Sequence, residues 1–262
     1  MTLLRIPVRL VAAAVAIAAL IGGSTPLAVA QPGPPPGPAP GPGFGSGPGP
    51  APGPAYVPRP TYVPGVGAAP AVSPKSTCAD IEVIFARGTD DTPGLGTPGT
   101  AFVNALRNLV DGRSITTYAV DYPASYDFLA AADGAADATD RIGSMAQLCP
   151  TTRIVLGGYS QGAAVMDMLA GIPPLGNKIG SIGSAPPLPA NLLPNIAAVA
   201  VFGNPATKFS NPITSSVFAG KAIDLCKDGD PICSDGRNPF AHNDYVSTGL
   251  VQQAASFVAG LV

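Results

Sequence analysis

Between Gln31 and Thr77 the chain places 16 Pro and 10 Gly in 47 positions, with only two charges, Arg59 and Lys75. A segment so poor in large apolar side chains cannot bury enough surface to offset its chain entropy, and each proline removes an amide donor that a helix or sheet needs. The expectation over 31–77 is a disordered, partly polyproline II tether, able to reach on the order of 140 Å at ~3.1 Å per residue. Whatever folds must therefore lie in residues 78–262, enough for one domain with a sizeable core.

Ahead of the tether, Arg5 and Arg9 precede an uninterrupted apolar run over residues 10–21, and Ala28-Val29-Ala30 stands before Gln31. These are the parts of a secretory signal peptide over 1–30, because a spanning helix needs about 20 apolar residues and about a dozen are present. The mature chain is thus expected without a transmembrane segment, secreted, and either extracellular or associated with the cell wall through the tether. Export makes the four cysteines, Cys78, Cys149, Cys226 and Cys233, two expected disulfides. Cys226 and Cys233 are near enough to close a small loop, which leaves Cys78 with Cys149. In the chain-entropy model the long link contributes about 4 kcal/mol and the short one about 2.5 kcal/mol, so the short one serves to shape a loop.

All 16 acidic residues and 10 of the 14 basic ones fall after the tether, and the whole chain carries a net charge of -2. No basic footprint for nucleic acid exists. The single histidine excludes metal sites built on two or three imidazoles, and neither a P-loop nor a G-x-G-x-x-G run occurs. Neither such a metal site nor nucleotide chemistry is expected, and the domain is expected to be a monomer.

The folded region alternates between the two periodicities. Ile81 to Ala86 reads as a strand; Thr97-Pro98 then opens a helix carrying Phe102, Leu106 and Leu109 on one face. Ser114 to Val120 is a second strand, Tyr126 to Leu148 mostly helix, and Arg153 to Gly157 a short buried strand followed without a linker by a helix over 161–169. Ile196 to Phe202 and Lys221 to Leu225 are two more strands, and Val251, Ala254, Ala255, Val258 and Leu261 mark a terminal amphipathic helix. Strands alternating with helices imply a mostly parallel sheet covered on both faces, with its crevice at the carboxyl ends of the strands.

At those ends stands Gly158-Tyr159-Ser160-Gln161-Gly162, a G-x-S-x-G run between strand and helix, which is the context of a nucleophile elbow. The helix that follows aims its free backbone N–H groups at the same point, so the Gln161 N–H is a candidate oxyanion donor. A serine needs a base, and His242 is the single imidazole available. The acid must fall between them, among Asp167, Asp224, Asp228, Asp230 and Asp235. Asp167 lies one and a half turns into the helix and should point away, and Asp224 is inside a strand. Asp228, Asp230 and Asp235 lie in or beside the loop between Cys226 and Cys233, and of these Asp230 is favoured, then Asp228. Arg87-Gly88-Thr89 ends the first strand at the same edge, where Thr89 can supply the second oxyanion donor.

Cys78-Ala79-Asp80 leading into Phe85-Ala86-Arg87-Gly88-Thr89, then Gly158 to Gly162, then Cys226-x-x-x-Asp230-x-x-Cys233, then His242, resembles the cutinase family, in particular the secreted cutinase-like esterases of mycobacteria. The resemblance runs over essentially all of residues 78–262. It implies a Ser160, Asp230, His242 triad, Thr89 and Gln161 as the oxyanion hole, and the bridges Cys78–Cys149 and Cys226–Cys233. It also implies a three-layer α/β/α hydrolase fold with no lid, no cofactor, and a small ester or lipid as substrate. The expected function is a serine carboxylesterase. An acyltransferase of the cell envelope using the same triad, and a wall-tethered non-catalytic module, fit the same residues. Residues 234–241 offer one large apolar side chain, Phe240, joined by Tyr122, Tyr126, Phe128 and Leu129 after the second strand. Asp235, Arg237 and Asn238 beside His242 would oppose a long acyl chain, so the expected optimum is about C4 to C8.

Overall fold

The computed structural model describes residues 78–176 and 182–262. The expected signal peptide and tether lie outside the described residues. Among the described residues five strands form the sheet: β1 (Ile81–Ala86), β2 (Ile115–Ala119), β3 (Arg153–Tyr159), β4 (Ile196–Phe202) and β5 (Ala222–Leu225), in the order β2-β1-β3-β4-β5. Every pairing is parallel. The central three strands are buried on both faces, which is why β1, β3 and β4 read as nearly unbroken apolar runs instead of alternating.

Alternate side chains of these strands feed two cores. Ile81, Val83 and Phe85 pack with Phe102, Val103 and Leu106 of α1 (Gly96–Arg107) and with Val251, Ala254, Ala255 and Val258 of α6 (Leu250–Ala259). Ile84 and Ala86 pack on the other face with Ala135, Ala138 and Ile142 of α2 (Ala131–Leu148) and with Val165, Met166 and Leu169 of α3 (Gln161–Leu169). This is the three-layer α/β/α hydrolase fold, and its topology puts the carboxyl ends of β1, β3 and β4 side by side. Two short helices, α4 (Pro205–Lys208) and α5 (Pro239–His242), follow β4 and β5 and bring their residues to the same edge.

Two local expectations fail. α1 begins at Gly96, so Thr97 and Pro98 sit in its first turn, and it stops at Arg107. Leu109 is consequently out of helical phase and half exposed, while Val110 turns into the core in its place. Residues 126–130 are not part of the long helix either; Asp127 caps a single 3₁₀ turn, accepting from the Leu129 N–H, before α2 starts at Ala131. Both disulfides have the expected pairing, Cys78–Cys149 with Cα atoms 5.6 Å apart and Cys226–Cys233 with Cα atoms 5.8 Å apart.

Candidate active site

The chain reverses between β3 and α3 on one residue. Ser160 has φ 55° and ψ −116°, a strained conformation for a residue with a side chain. Neighbouring glycines make the reversal sterically possible: a Cβ on Gly158 would lie 2.3 Å from the Gly162 carbonyl oxygen, and one on Gly162 would lie 2.0 Å from the Ala86 carbonyl oxygen. The Ser160 N–H donates to the Phe202 carbonyl at 2.9 Å, continuing the β3–β4 ladder and pinning the turn to the sheet.

His242, at the end of α5, brings Nε2 to 2.8 Å from Ser160 Oγ. Its Nδ1 is 2.8 Å from Oδ2 of Asp230, which is fully buried inside the loop stapled by Cys226–Cys233. The ring is held by more than its two hydrogen bonds. Tyr159 stacks on it at 5.1 Å between centroids and donates its hydroxyl to the His242 carbonyl at 2.6 Å. Gly203, at the end of β4, leaves the room: a Cβ there would lie 2.9 Å from His242 Cε1. Burial by itself would push the Asp230 carboxyl up, but hydrogen bonds from His242, Tyr245 and the Ile232 N–H outweigh it and hold the group below the usual carboxylate range. Held as the anion and bonded to Nδ1, it can fix the tautomer that leaves Nε2 free to accept a proton.

Thr89 and Gln161 flank Ser160. Gln161 opens α3, so its N–H has no helical acceptor and is available to an oxyanion. The Thr89 hydroxyl donates to Gln161 Oε1 at 3.3 Å, and Gln161 Nε2 donates to the Ser125 carbonyl at 3.3 Å, which ties the two candidates together. The loop carrying Thr89 is braced by Arg87, which donates to the carbonyls of Tyr122, Pro123 and Asp91, and by Asp91, whose Oδ2 accepts the Gly88 N–H at 2.9 Å. Burial raises the Asp91 carboxyl.

Ser160 and His242 open into a cleft of about 520 Å³ whose apolar walls are Tyr126, Phe128, Leu175, Ile182, Pro205 and Ile232, with Thr89, Asp91, Gln161 and Asn243 as its polar lining. Here the sequence expectation needs correcting. Tyr126 and Phe128 line the cleft, but Leu129 faces solvent and Tyr122 is buried with its hydroxyl on the Arg87 carbonyl. Phe240 is 80% exposed and does not line the cleft. Asp235, Arg237 and Asn238 are exposed too, Asn238 being used to cap α5, so none of them polarises the cleft. Of the acid candidates, only Asp230 meets His242. Asp167 and Asp224 are joined through Asn204, whose Nδ2 donates to both at 3.1 Å and 2.9 Å. Leu175, Ile182, Pro205 and Ile232 come from loops and a short helix with no periodicity to single them out.

A parallel five-stranded sheet with a serine on a strand–helix turn, a histidine behind it and a buried carboxylate behind that defines the serine-hydrolase class of α/β hydrolases. The family model for cutinase matches residues 77–262. The chain therefore belongs to the cutinase family, a family of serine carboxylic ester hydrolases. It is 50% identical over 197 residues to the phospholipase Culp4 of Mycobacterium tuberculosis, covering 74% of this chain and 84% of that protein. It is 45% identical over 191 residues to the carboxylesterase Culp1 of Mycobacterium bovis, covering 70% of this chain and 81% of that protein. Among solved structures, Trichoderma reesei cutinase in complex with a phosphonate inhibitor superposes with a TM-score of 0.57 at 34% identity, covering 70% of this chain and 77% of that one. An acetylxylan esterase superposes with a TM-score of 0.60 at 27% identity, covering 71% and 99%.

Proposed function

We propose that this chain is an exported serine carboxylesterase acting on esters with apolar acyl chains of short to medium length, lipid esters included. The observation that carries the reading is the unbroken hydrogen-bonded line from Ser160 Oγ through His242 to buried Asp230, opening into an apolar cleft. His242 Nε2 takes the hydroxyl proton as Ser160 Oγ bonds to the ester carbonyl carbon, and Asp230 stabilises the imidazolium that forms. The oxyanion is met by the Gln161 N–H with Thr89 beside it. Collapse passes the His242 proton to the leaving alcohol, and water, activated in turn by His242, releases the acid and restores Ser160. Walls built from Leu175, Ile182, Pro205 and Ile232 favour burying methylenes, at about 0.8 kcal/mol each, until the chain reaches the open rim. This is the support for an optimum at about C4 to C8, in place of polar side chains beside His242. Export is supported by the two disulfides and by the apolar run over residues 10–21.

The test is labelling with a fluorophosphonate probe. Ser160 should be labelled, and Ser160→Ala or His242→Ala should lose on the order of 10^4-fold or more in kcat/KM on p-nitrophenyl butyrate. A folded Ser160→Ala protein that still turns over the ester sinks the reading.

A further inference from the structure

The short disulfide encloses a loop whose polar groups converge on a side chain from outside it. Tyr245 is 1% exposed, and its ring packs edge-on against Phe202, Tyr159 and His242. From that fixed position its hydroxyl reaches into the loop. It accepts the Lys227 N–H at 3.2 Å, lies 3.4 Å from Cys233 Sγ, and donates to Asp230 Oδ2 at 2.6 Å. Oδ2 is the same oxygen that His242 Nδ1 meets at 2.8 Å, while Oδ1 takes the Ile232 N–H at 2.7 Å. One carboxylate oxygen is thus shared by the imidazole and the phenol.

We propose that Tyr245 is a positioning residue of this site: its hydroxyl templates the stapled loop, fixes the orientation of Asp230, and sets how strongly Asp230 holds a proton on His242. The functional meaning of the proposal rests on the esterase reading. A phenol donating to Oδ2 draws off part of the carboxylate charge that His242 would otherwise feel, leaving the imidazole a weaker binder of its proton and readier to pass it to the leaving alcohol. Burial and the hydrogen bond to Asp230 raise the Tyr245 hydroxyl far above its ordinary value, so it stays a donor over the working range. The other ionisable groups near His242 are Tyr159, stacked on the ring and also raised, and Asp91, which shares the cleft with it; Lys227 is paired with Asp244. None of them touches Oδ2.

The chain has one histidine, so its imidazole titration can be followed by NMR without assignment and without turnover. In Tyr245→Phe the midpoint should rise by about half a pH unit or more, since the unshared carboxylate holds the imidazolium more tightly. The acid limb of kcat/KM should move with it, and kcat should fall with KM little changed. A ring-fluorinated tyrosine at position 245 keeps the shape, strengthens the donor, and should move the midpoint the other way; it also decides the matter if Tyr245→Phe folds poorly. A purely structural tyrosine would change the melting temperature and leave both titrations in place, and that outcome overturns the proposal. Failure of Ser160 to label with a fluorophosphonate, alongside shifted titrations, would instead sink the esterase reading.

Discussion

Gly162→Ala is the substitution whose consequence the backbone geometry fixes most tightly. The new methyl would stand 2.0 Å from the Ala86 carbonyl oxygen and 2.6 Å from that of Arg87, both backbone atoms at the end of β1. Carbon and oxygen in ordinary contact keep roughly 3.3 Å, so α3 and the end of β1 must separate by more than about 1 Å. β1 is locked between β2 and β3, and cannot move as a strand. The displacement falls on Arg87-Gly88-Thr89, which carries one oxyanion candidate, and on the first turn of α3, which carries the other. A misplacement of about 1 Å in such a site costs about 100-fold in rate, and overpacking costs about 1–3 kcal/mol of stability. We expect kcat/KM on p-nitrophenyl butyrate to fall about 100-fold or more, with a lower but cooperative thermal transition. Gly112→Ala is the control: Gly112 sits at positive φ, 73°, where Gly162 does not, but a Cβ there meets nothing within 4 Å, so it should lose about 1 kcal/mol of stability from backbone strain and no activity. Gly162→Ala with wild-type kcat/KM would refute the claim that the approach of α3 to β1 sets the oxyanion site.

Three more expectations can be checked directly. Burial and neighbouring Asp224 hold the Asp167 carboxyl well above the usual range, while in the unfolded chain it ionises near about pH 4. The folded state therefore binds the extra proton, and stability falls as pH rises from about 4 through the folded value. Asp167→Asn should match wild type in melting temperature below about pH 4 and exceed it increasingly above, whereas a constant offset across pH would be inconsistent with a trapped proton. Replacing Cys226 and Cys233 with Ser removes a link of 7 residues' separation, contributing about 2.5 kcal/mol, but frees the loop that aims Asp230; turnover measured well below the melting temperature should drop more than stability does. Ile182→Ala opens the cleft wall, and at about 0.8 kcal/mol per methylene should lower kcat/KM on the octanoyl ester about tenfold while leaving the acetyl ester within about twofold.

What was legible in the sequence, and what was not, follows from where each property is encoded. β1, β4 and α3 have the expected bounds because a doubly buried strand must be apolar throughout and a helix launched from a nucleophile elbow has its start marked by two glycines. α1 is shorter than its apolar pattern because Leu109 continues the spacing by coincidence after the helix has stopped at Arg107. The elbow was visible as chemistry, since only a severe turn needs glycine at both 158 and 162. Asp230 was favoured over Asp228 by pattern, and the resemblance was needed to set Asp228 aside, because carboxylates in one short loop differ only in what surrounds them. Asp230 has the Ile232 N–H, the Tyr245 hydroxyl and complete burial, whereas no sequence spacing announces that a tyrosine three residues past the histidine turns back into the loop. The cleft was read least well for the same reason. Phe240 and Asp235 are closer in sequence to His242 than Ile182 or Leu175 are, yet α5 ends at His242 and its cap at Asn238 points the preceding loop outward. Proximity in sequence then predicts exposure here, and the wall is supplied by residues of distant loops that the parallel topology returns to the carboxyl edge of the sheet.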